Sequence, residues 1–291
     1  MADYMVRAMD VAGNIRIFVA TTTDLVNEAR RRHDTWPTVT AALGRALTGT
    51  ALLSATLKDR GESITLRIAG NGPVGGITCD ADEQGQVRGF VREPHVDLEP
   101  KNGKFDVAGV VGEGYVHLTR QLALEGTYTG TAEIVSGEIG EDLAYYLTKS
   151  EQTPSAVSLG VRVAPDGTVT ASGGILLQLL PAATDDEREQ LELNLQALGA
   201  VSSAVETGLT PEAILGQVMA GIPYKLLEKR DVHFACRCSR ERALSSLASL
   251  DPADLEAMIV EDGGAELSCQ FCNEKYQFSA DELRELRATR H

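Results

Sequence analysis

The chain has 291 residues, 43% of them hydrophobic and only 5% aromatic, a composition that suits a globular chain of about two domains with a real core. Its formal charge of -15, from 42 acidic against 27 basic residues, argues against a general affinity for phosphate backbones or anionic membranes. No stretch approaches the roughly 20 apolar residues of a membrane span, and the opening MADYMVRAMDVAGNIRIFVA lacks the basic start and unbroken apolar run of an export signal. A cytoplasmic location is therefore expected, where closely spaced cysteines more often bind metal or do redox chemistry than staple a fold.

A strand is predicted around NIRIFVA, then a helix over DLVNEARRRH and a buried helix over TVTAALGRALTGTALLSATL, whose alanines and leucines recur at helical spacing. Glycine-punctuated segments follow: ESITLRIAG, GGITCDAD, QVRGFVRE, KFDVAGVVGEG, TYTGTAEIV, VSLGVRVAPDG and ILLQLL. They read as strands joined by turns, interrupted by a helix over EDLAYYLTKSE. The expected fold class is α+β, with an N-terminal domain over 1–181 in which helices cover a mostly antiparallel sheet.

GNGPVGG spells G-x-G-x-x-G from Gly70 to Gly75, but Pro73 lies inside it and a strand follows. A hairpin turn is expected there, not a dinucleotide site. His95 and His117 lie near Asp97 and Glu113 in sequence, yet no serine or cysteine has a recognisable nucleophile setting, so both are expected as solvated surface residues. Cys79 has no partner in sequence and is expected as a buried thiol.

After Pro181 the character changes to a helical linker, 182–231. Thr184 and Glu187 fit a capping box, Leu191, Leu195 and Leu198 fall on one face, and Thr210 with Pro211 starts a second helix. The acidic run DDERE reads as a solvated helix start. The apolar stripe is narrow and broken at Gly199, Ser202 and Ser203, so these helices need something to dock on.

The terminal module, 232–291, reads as helices over SRERALSSLASL and DPADLEAMIV, a hairpin over ELSCQFCNEKYQF, and a last helix over ADELRELRATR capped by Ser279 with Glu282. About 60 residues with few large apolar side chains make a marginal core, and such domains commonly need a metal or disulfides. Four of the five cysteines fall here, as Cys236-x-Cys238 and Cys269-x-x-Cys272. Zinc takes four tetrahedral ligands and favours thiolates in structural sites, so a closed site of these four sulfurs is expected, with a turn at Arg237 in the tighter pair. His233 could replace one ligand, but a lone histidine beside an apolar strand is more often a packed or solvated side chain. Oxidants attack thiolate, and a sulfenic acid on one sulfur has a second thiol two or three residues away, so the site is suited to a redox switch.

The segments FACRCSRER, CQFCNEKYQF, EQTPSAVSLGV, GGILLQLLP and GPVGGITCDADEQGQVRGFV together resemble the thirty-three-kilodalton heat shock protein family, redox-regulated holdase chaperones of the bacterial cytosol. The resemblance covers essentially the whole chain. It implies that Cys236, Cys238, Cys269 and Cys272 hold one zinc in a reduced, inactive state. It also implies that oxidation joins Cys236 to Cys238 and Cys269 to Cys272 and releases the metal. The linker of such a protein then unfolds and, with the N-terminal domain, exposes apolar surface to unfolding client proteins, usually as a homodimer, under oxidative and heat stress. No enzymatic activity, nucleic acid or membrane is implied.

Two other classes weigh against this. A thiol oxidoreductase would use Cys269 and Cys272 catalytically, but that motif normally opens a helix. A nucleic-acid-binding zinc protein needs a basic face, whereas residues 232–291 hold seven Lys and Arg against eleven Asp and Glu.

Overall fold

The computed structural model describes residues 2–288, which form two compact units joined between Ala235 and Cys236. The first unit contains, in order, β1 (Tyr4–Asp10), β2 (Ile15–Thr21), α1 (Thr23–His33), α2 (Pro37–Ser54), β3 (Ser63–Gly70), β4 (Ile77–Asp82) and β5 (Gln86–Val91). Then come α3 (Val107–Val111), β6 (Gly114–Leu122), β7 (Gly126–Glu133), α4 (Gly140–Ser150), β8 (Ser155–Val163) and β9 (Val169–Leu179). It ends with α5 (Asp185–Leu198), α6 (Val201–Glu206), α7 (Pro211–Val218), β10 (Tyr224–Asp231) and β11 (His233–Phe234). A five-stranded sheet has the order β10-β1-β2-β9-β8, and a six-stranded sheet the order β11-β5-β4-β3-β6-β7. Among the described residues only the short pairing of β11 with β5 is parallel, so the fold is α+β and mostly antiparallel. Among the described residues, no helix is long and apolar enough to cross a membrane.

Helix α2 is the axle of this unit. Sixteen of its eighteen residues are buried, because it packs against β2, β8 and β9 of one sheet and β3, β4 and β5 of the other. A helix enclosed this way must be small and apolar all round, which explains its run of Ala, Leu, Gly and Thr. Its buried hydroxyls are satisfied locally: Thr48 and Thr50 donate to the carbonyls of Gly44 and Ala46 at 2.8 and 2.7 Å.

The five-stranded sheet is covered on both faces. Met5, Phe18, Ala20 and Leu176 join the core around α2. Their neighbours on the opposite side of the pleat, among them Val6, Ile17, Val19, Ile175 and Leu177, join a second core with Leu191, Val201, Ile214, Leu215 and Val218 of α5 to α7. Burial on both sides makes β9 read as a nearly continuous apolar run, VTASGGILLQL. The glycines of β8 and β9 serve the same packing, since a Cβ at Gly160 would lie 2.8 Å from Ser202 of α6. Tyr4 and Lys229 tie α7 to β1 and β10 by hydrogen bonds to Glu212, at 2.6 and 3.0 Å. Helix α5 is held more lightly. Its capping box forms as expected, yet Leu191 is the one buried side chain among its fourteen residues. By the criterion of buried apolar contact, α5 belongs to the low-stability end of this unit.

The chain departs from the sequence reading at several places. KFDVAGVVGEG is not a strand: Asp106 accepts from Gly109 N and opens the short helix α3. Val107, Val110 and Val111 are buried together, a helical spacing that the alternating glycines mask. Strands β1 and β6 also escaped the reading, and residues 224–231, expected as part of the helical linker, form the edge strand β10 of the five-stranded sheet, whereas α6 lies within the expected helical stretch. The G-x-G-x-x-G segment does form a hairpin loop between β3 and β4. Gly72 N and Val74 N donate to the carbonyls of Val111 and Val110 at 3.0 and 3.1 Å, an approach that leaves no room for a Cβ at Gly72.

A buried acid gives this unit a pH dependence. Asp3 is 7% exposed; its Oδ2 accepts from Leu25 N at 2.7 Å near the start of α1, while Oδ1 is buried without a partner among the described residues. Burial pushes its carboxyl up from 3.8 to about 6, the Leu25 amide opposing and Asp24 adding to the shift. Because the folded value is the higher one, the protonated acid stabilises the fold below about pH 4, and that contribution is lost as pH rises through 6. A shift of about two units corresponds to about 3 kcal/mol. The unfolding midpoint in urea, followed by fluorescence of Trp36, the single tryptophan, is expected to fall between about pH 5 and about pH 7.5. Asp3→Asn should flatten that slope, and an unchanged slope would refute the assignment.

Candidate metal centre

The second unit holds α8 (Arg240–Leu247), α9 (Pro252–Val260), β12 (Gly264–Ser268), β13 (Lys275–Ser279) and α10 (Ala280–Ala288). The caps follow the sequence: Ser239 accepts from Arg242 N, Asp251 from Ala253 N, and Ser279 exchanges hydrogen bonds with Glu282. Thr289 and Arg290, at the end of the expected last helix, lie outside the described residues. The apolar core is small. Its fully buried members are Leu247, Leu255, Ile259, Phe278 and Leu283, few for an independent fold of this size.

Strands β12 and β13 pair from Gly264 with Ser279 to Ser268 with Lys275, which leaves residues 269–274 as the hairpin loop. Within it Cys269 N donates to Glu274 O at 2.9 Å, and Asn273 N and Cys272 N donate to Cys269 O at 2.8 and 3.3 Å. Asn273 adopts a left-handed φ of 58°, a conformation asparagine tolerates better than most residues. This knuckle turns the Cys269 and Cys272 sulfurs the same way. Cys236 and Cys238 lie just before α8, outside any helix or strand. Arg242 donates to Arg237 O at 2.7 Å, and Arg240 donates to Gln277 O at 2.8 Å while lying 4.4 Å over the Phe278 ring. These two arginines fasten the first cysteine pair to the hairpin that carries the second.

The result is a cluster of Cys236, Cys238, Cys269 and Cys272 whose four sulfurs all lie within 4.8 Å of one another. Cys236 and Cys269 are 3.6 Å apart, and Cys238 and Cys272 are 3.4 Å apart. A tetrahedral ion with bonds of about 2.3 Å sets its sulfurs about 3.8 Å apart, so the four residues fit such an ion and could hold a metal. None of the four is joined in a disulfide. Burial raises the thiol pKa of Cys272 and Cys269, with neighbouring sulfurs adding to the rise for Cys272. Four crowded, half-buried thiols cannot all ionise without a compensating cation.

Tyr276 is a member of the site that the sequence reading missed. Its hydroxyl donates to Cys238 Sγ at 3.2 Å, a bond made possible by its position four residues after Cys272, where β13 brings it back beside the loop. Hydrogen bonds of this kind orient metal ligands, and their removal typically weakens metal affinity 10-fold or more. Tyr276→Phe should therefore weaken metal retention about 10-fold, measured by competition with a chromophoric chelator; an unchanged affinity would show that the bond orients nothing.

The remaining candidates lie elsewhere. His233 is exposed in β11, its amide donating to Gly85 O at 3.1 Å, and it is not among the clustered ligands. Cys79 is buried on β4, and burial raises its thiol pKa too. His95 pairs with Asp34 at 3.0 Å on the surface, and His117 with Thr131 at 3.0 Å. Asp97 instead accepts from Thr38 at the start of α2. The DDERE run occupies the solvated first turns of α5.

Fold and site together define an α+β protein with a separate small module built round a four-cysteine cluster able to hold a metal. The Hsp33 protein family model matches residues 3–279. The 33 kDa chaperonin of Symbiobacterium thermophilum is 64% identical over 284 residues, covering 97% of this chain and 96% of that protein. That of Desulforamulus reducens is 47% identical, covering 98% and 97%. The crystal structure of the 33 kDa chaperonin homologue from Thermotoga maritima superposes with a TM-score of 0.93 at 35% identity, covering 100% of this chain and 99% of that one. The chain belongs to the Hsp33 chaperone family.

Proposed function

We propose that this chain is a cytoplasmic, redox-controlled holdase that is silent with zinc on Cys236, Cys238, Cys269 and Cys272 and active once those thiols are oxidised. The observation that carries the reading is the four-sulfur cluster in a module whose own core is too small to stand alone. Zinc would supply the positive charge that lets the four thiolates share one site. Hydrogen peroxide takes two electrons from each thiolate pair, Cys236 with Cys238 and Cys269 with Cys272, giving a disulfide and two waters, with the two protons this requires drawn from solvent. A disulfide sulfur is a poor metal ligand, so the module loses the free energy that the metal contributed to its folding. The covalent path onward is short, since the chain passes directly from β11 and β10 into Cys236.

In this reading 182–231 is the metastable linker, 1–181 the client-binding and dimerising domain, and 232–291 the switch. Undocking of α5 to α7 would uncover the outer sheet face of Val6, Ile17, Val19, Ile175 and Leu177, an apolar patch of the kind that captures unfolding proteins. The role is binding, not catalysis. The test follows metal release, thiol count and light scattering of a chemically unfolded client together. Peroxide should release one zinc per chain, consume four thiols and turn on suppression of aggregation, all reversed by dithiol reductant with zinc. Full suppression by the reduced, metal-loaded protein, or none after complete oxidation, would defeat the proposal.

A further inference from the structure

Two Asn-Gly pairs occur in the chain, Asn71-Gly72 and Asn102-Gly103, and the fold treats them in opposite ways. An asparagine followed by glycine is chemically fragile, because a residue with no Cβ lets its backbone nitrogen close on the side-chain amide that precedes it. The attack also needs that nitrogen to give up its proton, so an amide held in a good hydrogen bond is protected. Asn71-Gly72 is held. Its Oδ1 accepts from Glu113 N at 2.9 Å, its own amide donates to Glu113 O at 2.8 Å, and Gly72 N donates to Val111 O at 3.0 Å. The backbone of Val110 and Val111 approaches Gly72 too closely to admit a Cβ, which fixes the pair in place while the loop is folded.

Asn102-Gly103 is held only by its own turn. Lys101 and Lys104 exchange backbone hydrogen bonds at 2.9 and 3.0 Å, and Asn102 and Gly103 between them have left-handed φ of 52° and 73°, the pattern of a two-residue hairpin turn. Among the described residues neither the Gly103 amide nor the Asn102 side chain has a hydrogen-bond partner. Residues 99–104 are exposed, and a Cβ placed on Gly103 would meet nothing within 4 Å. Lys101 pairs with Asp106, the cap of α3, and so leaves the tip uncovered. Water and base reach this dipeptide freely, as at other exposed loop tips.

We propose that Asn102 is a site of spontaneous deamidation, selected by the fold over Asn71, which carries the same dipeptide. Gly103 N loses its proton to solvent base and bonds to Asn102 Cγ. The Cγ–Nδ2 bond breaks, the nitrogen leaves as ammonia with a proton from water, and a second water opens the cyclic imide at either carbonyl, giving aspartate or isoaspartate. The product sets a carboxylate between Lys101 and Lys104, and isoaspartate adds a backbone methylene that the tight turn does not accommodate. The site is independent of the cysteine cluster and of the switch proposed for it. In the test the full chain, reduced and metal-loaded, is aged in mild alkali and both peptides are followed by mass for the amide-to-acid change. Two hydrogen bonds of ordinary net strength, from Glu113 N and Gly72 N, should slow Asn71 about 30-fold relative to Asn102, and in concentrated urea the two should convert at similar rates. Hydroxylamine, which cleaves the cyclic imide, should cut the folded chain after Asn102 and leave Asn71 intact. Asn102→Gln, whose longer side chain must close a larger ring, should lose both signals at that position while keeping its circular dichroism spectrum. An Asn102 that persists in the folded chain under conditions that convert it in urea, or an Asn71 that converts as fast as Asn102, would overturn the site.

Discussion

Cys272→Ser is expected to leave the second unit without metal and largely unfolded in reducing buffer. Cys272 is the most enclosed of the four ligands, 3% exposed, and its amide is part of the knuckle closed by the Cys269 carbonyl. Structural zinc contributes about 10–16 kcal/mol to small zinc modules. Losing one of four thiolates should remove about a quarter of this, roughly 3–4 kcal/mol, or a 100- to 1,000-fold loss of affinity. Five fully buried apolar side chains cannot make good the difference. Metal analysis after gel filtration against a mild chelator should give a ratio near zero, and the amide resonances of residues 236–288 should collapse while those of the first unit persist. Under the proposed switch the variant should also hold clients without oxidant, and respond less to peroxide because Cys269 has lost its neighbour. A serine variant that keeps stoichiometric metal and a resolved spectrum would show that three sulfurs suffice.

The second large effect concerns the linker. Ile214 is fully buried in α7 and faces the outer side of the five-stranded sheet. Ile214→Asp removes an apolar side chain worth about 1.5–3 kcal/mol on burial and forces a carboxylate into its place, a mechanism that ranks among the most destabilising single changes. With α5 already held by one buried leucine, α5 to α7 should undock together. Binding of an apolar dye should rise several-fold and helical circular dichroism should fall, with all four thiols reduced and the metal retained. On the proposed function, aggregation of an unfolded client should then be suppressed without peroxide. Leu193→Asp, on the solvent side of α5 at 55% exposure, should change neither signal. A variant that undocks, binds dye and still fails to hold clients would place client capture away from this sheet face.

What could be read from the sequence was the chemistry that neighbouring residues settle among themselves. The capping pairs Thr184 with Glu187 and Ser279 with Glu282 form because a side chain three residues away reaches the first free amides of a helix. The hairpin at Cys269 and Cys272 and the enclosed helix α2 follow from short-range spacing of the same kind, as did the resemblance carried by the cysteine segments. What the sequence left open depends on which strands lie side by side. Strands β1 and β10 gain their place only when they pair with each other at the sheet edge, and β6 only when β3 and β7 flank it. Asp106 and its three valines become a helix because α2 and β3 bury them together. The hydroxyl of Tyr276 meets Cys238 across 38 positions, and Arg16 stands opposite Gln178 on a ladder that pairs strands far apart in the chain. Local propensity and capping act within one helical turn, whereas register and burial on a second face are fixed only when distant segments share a core.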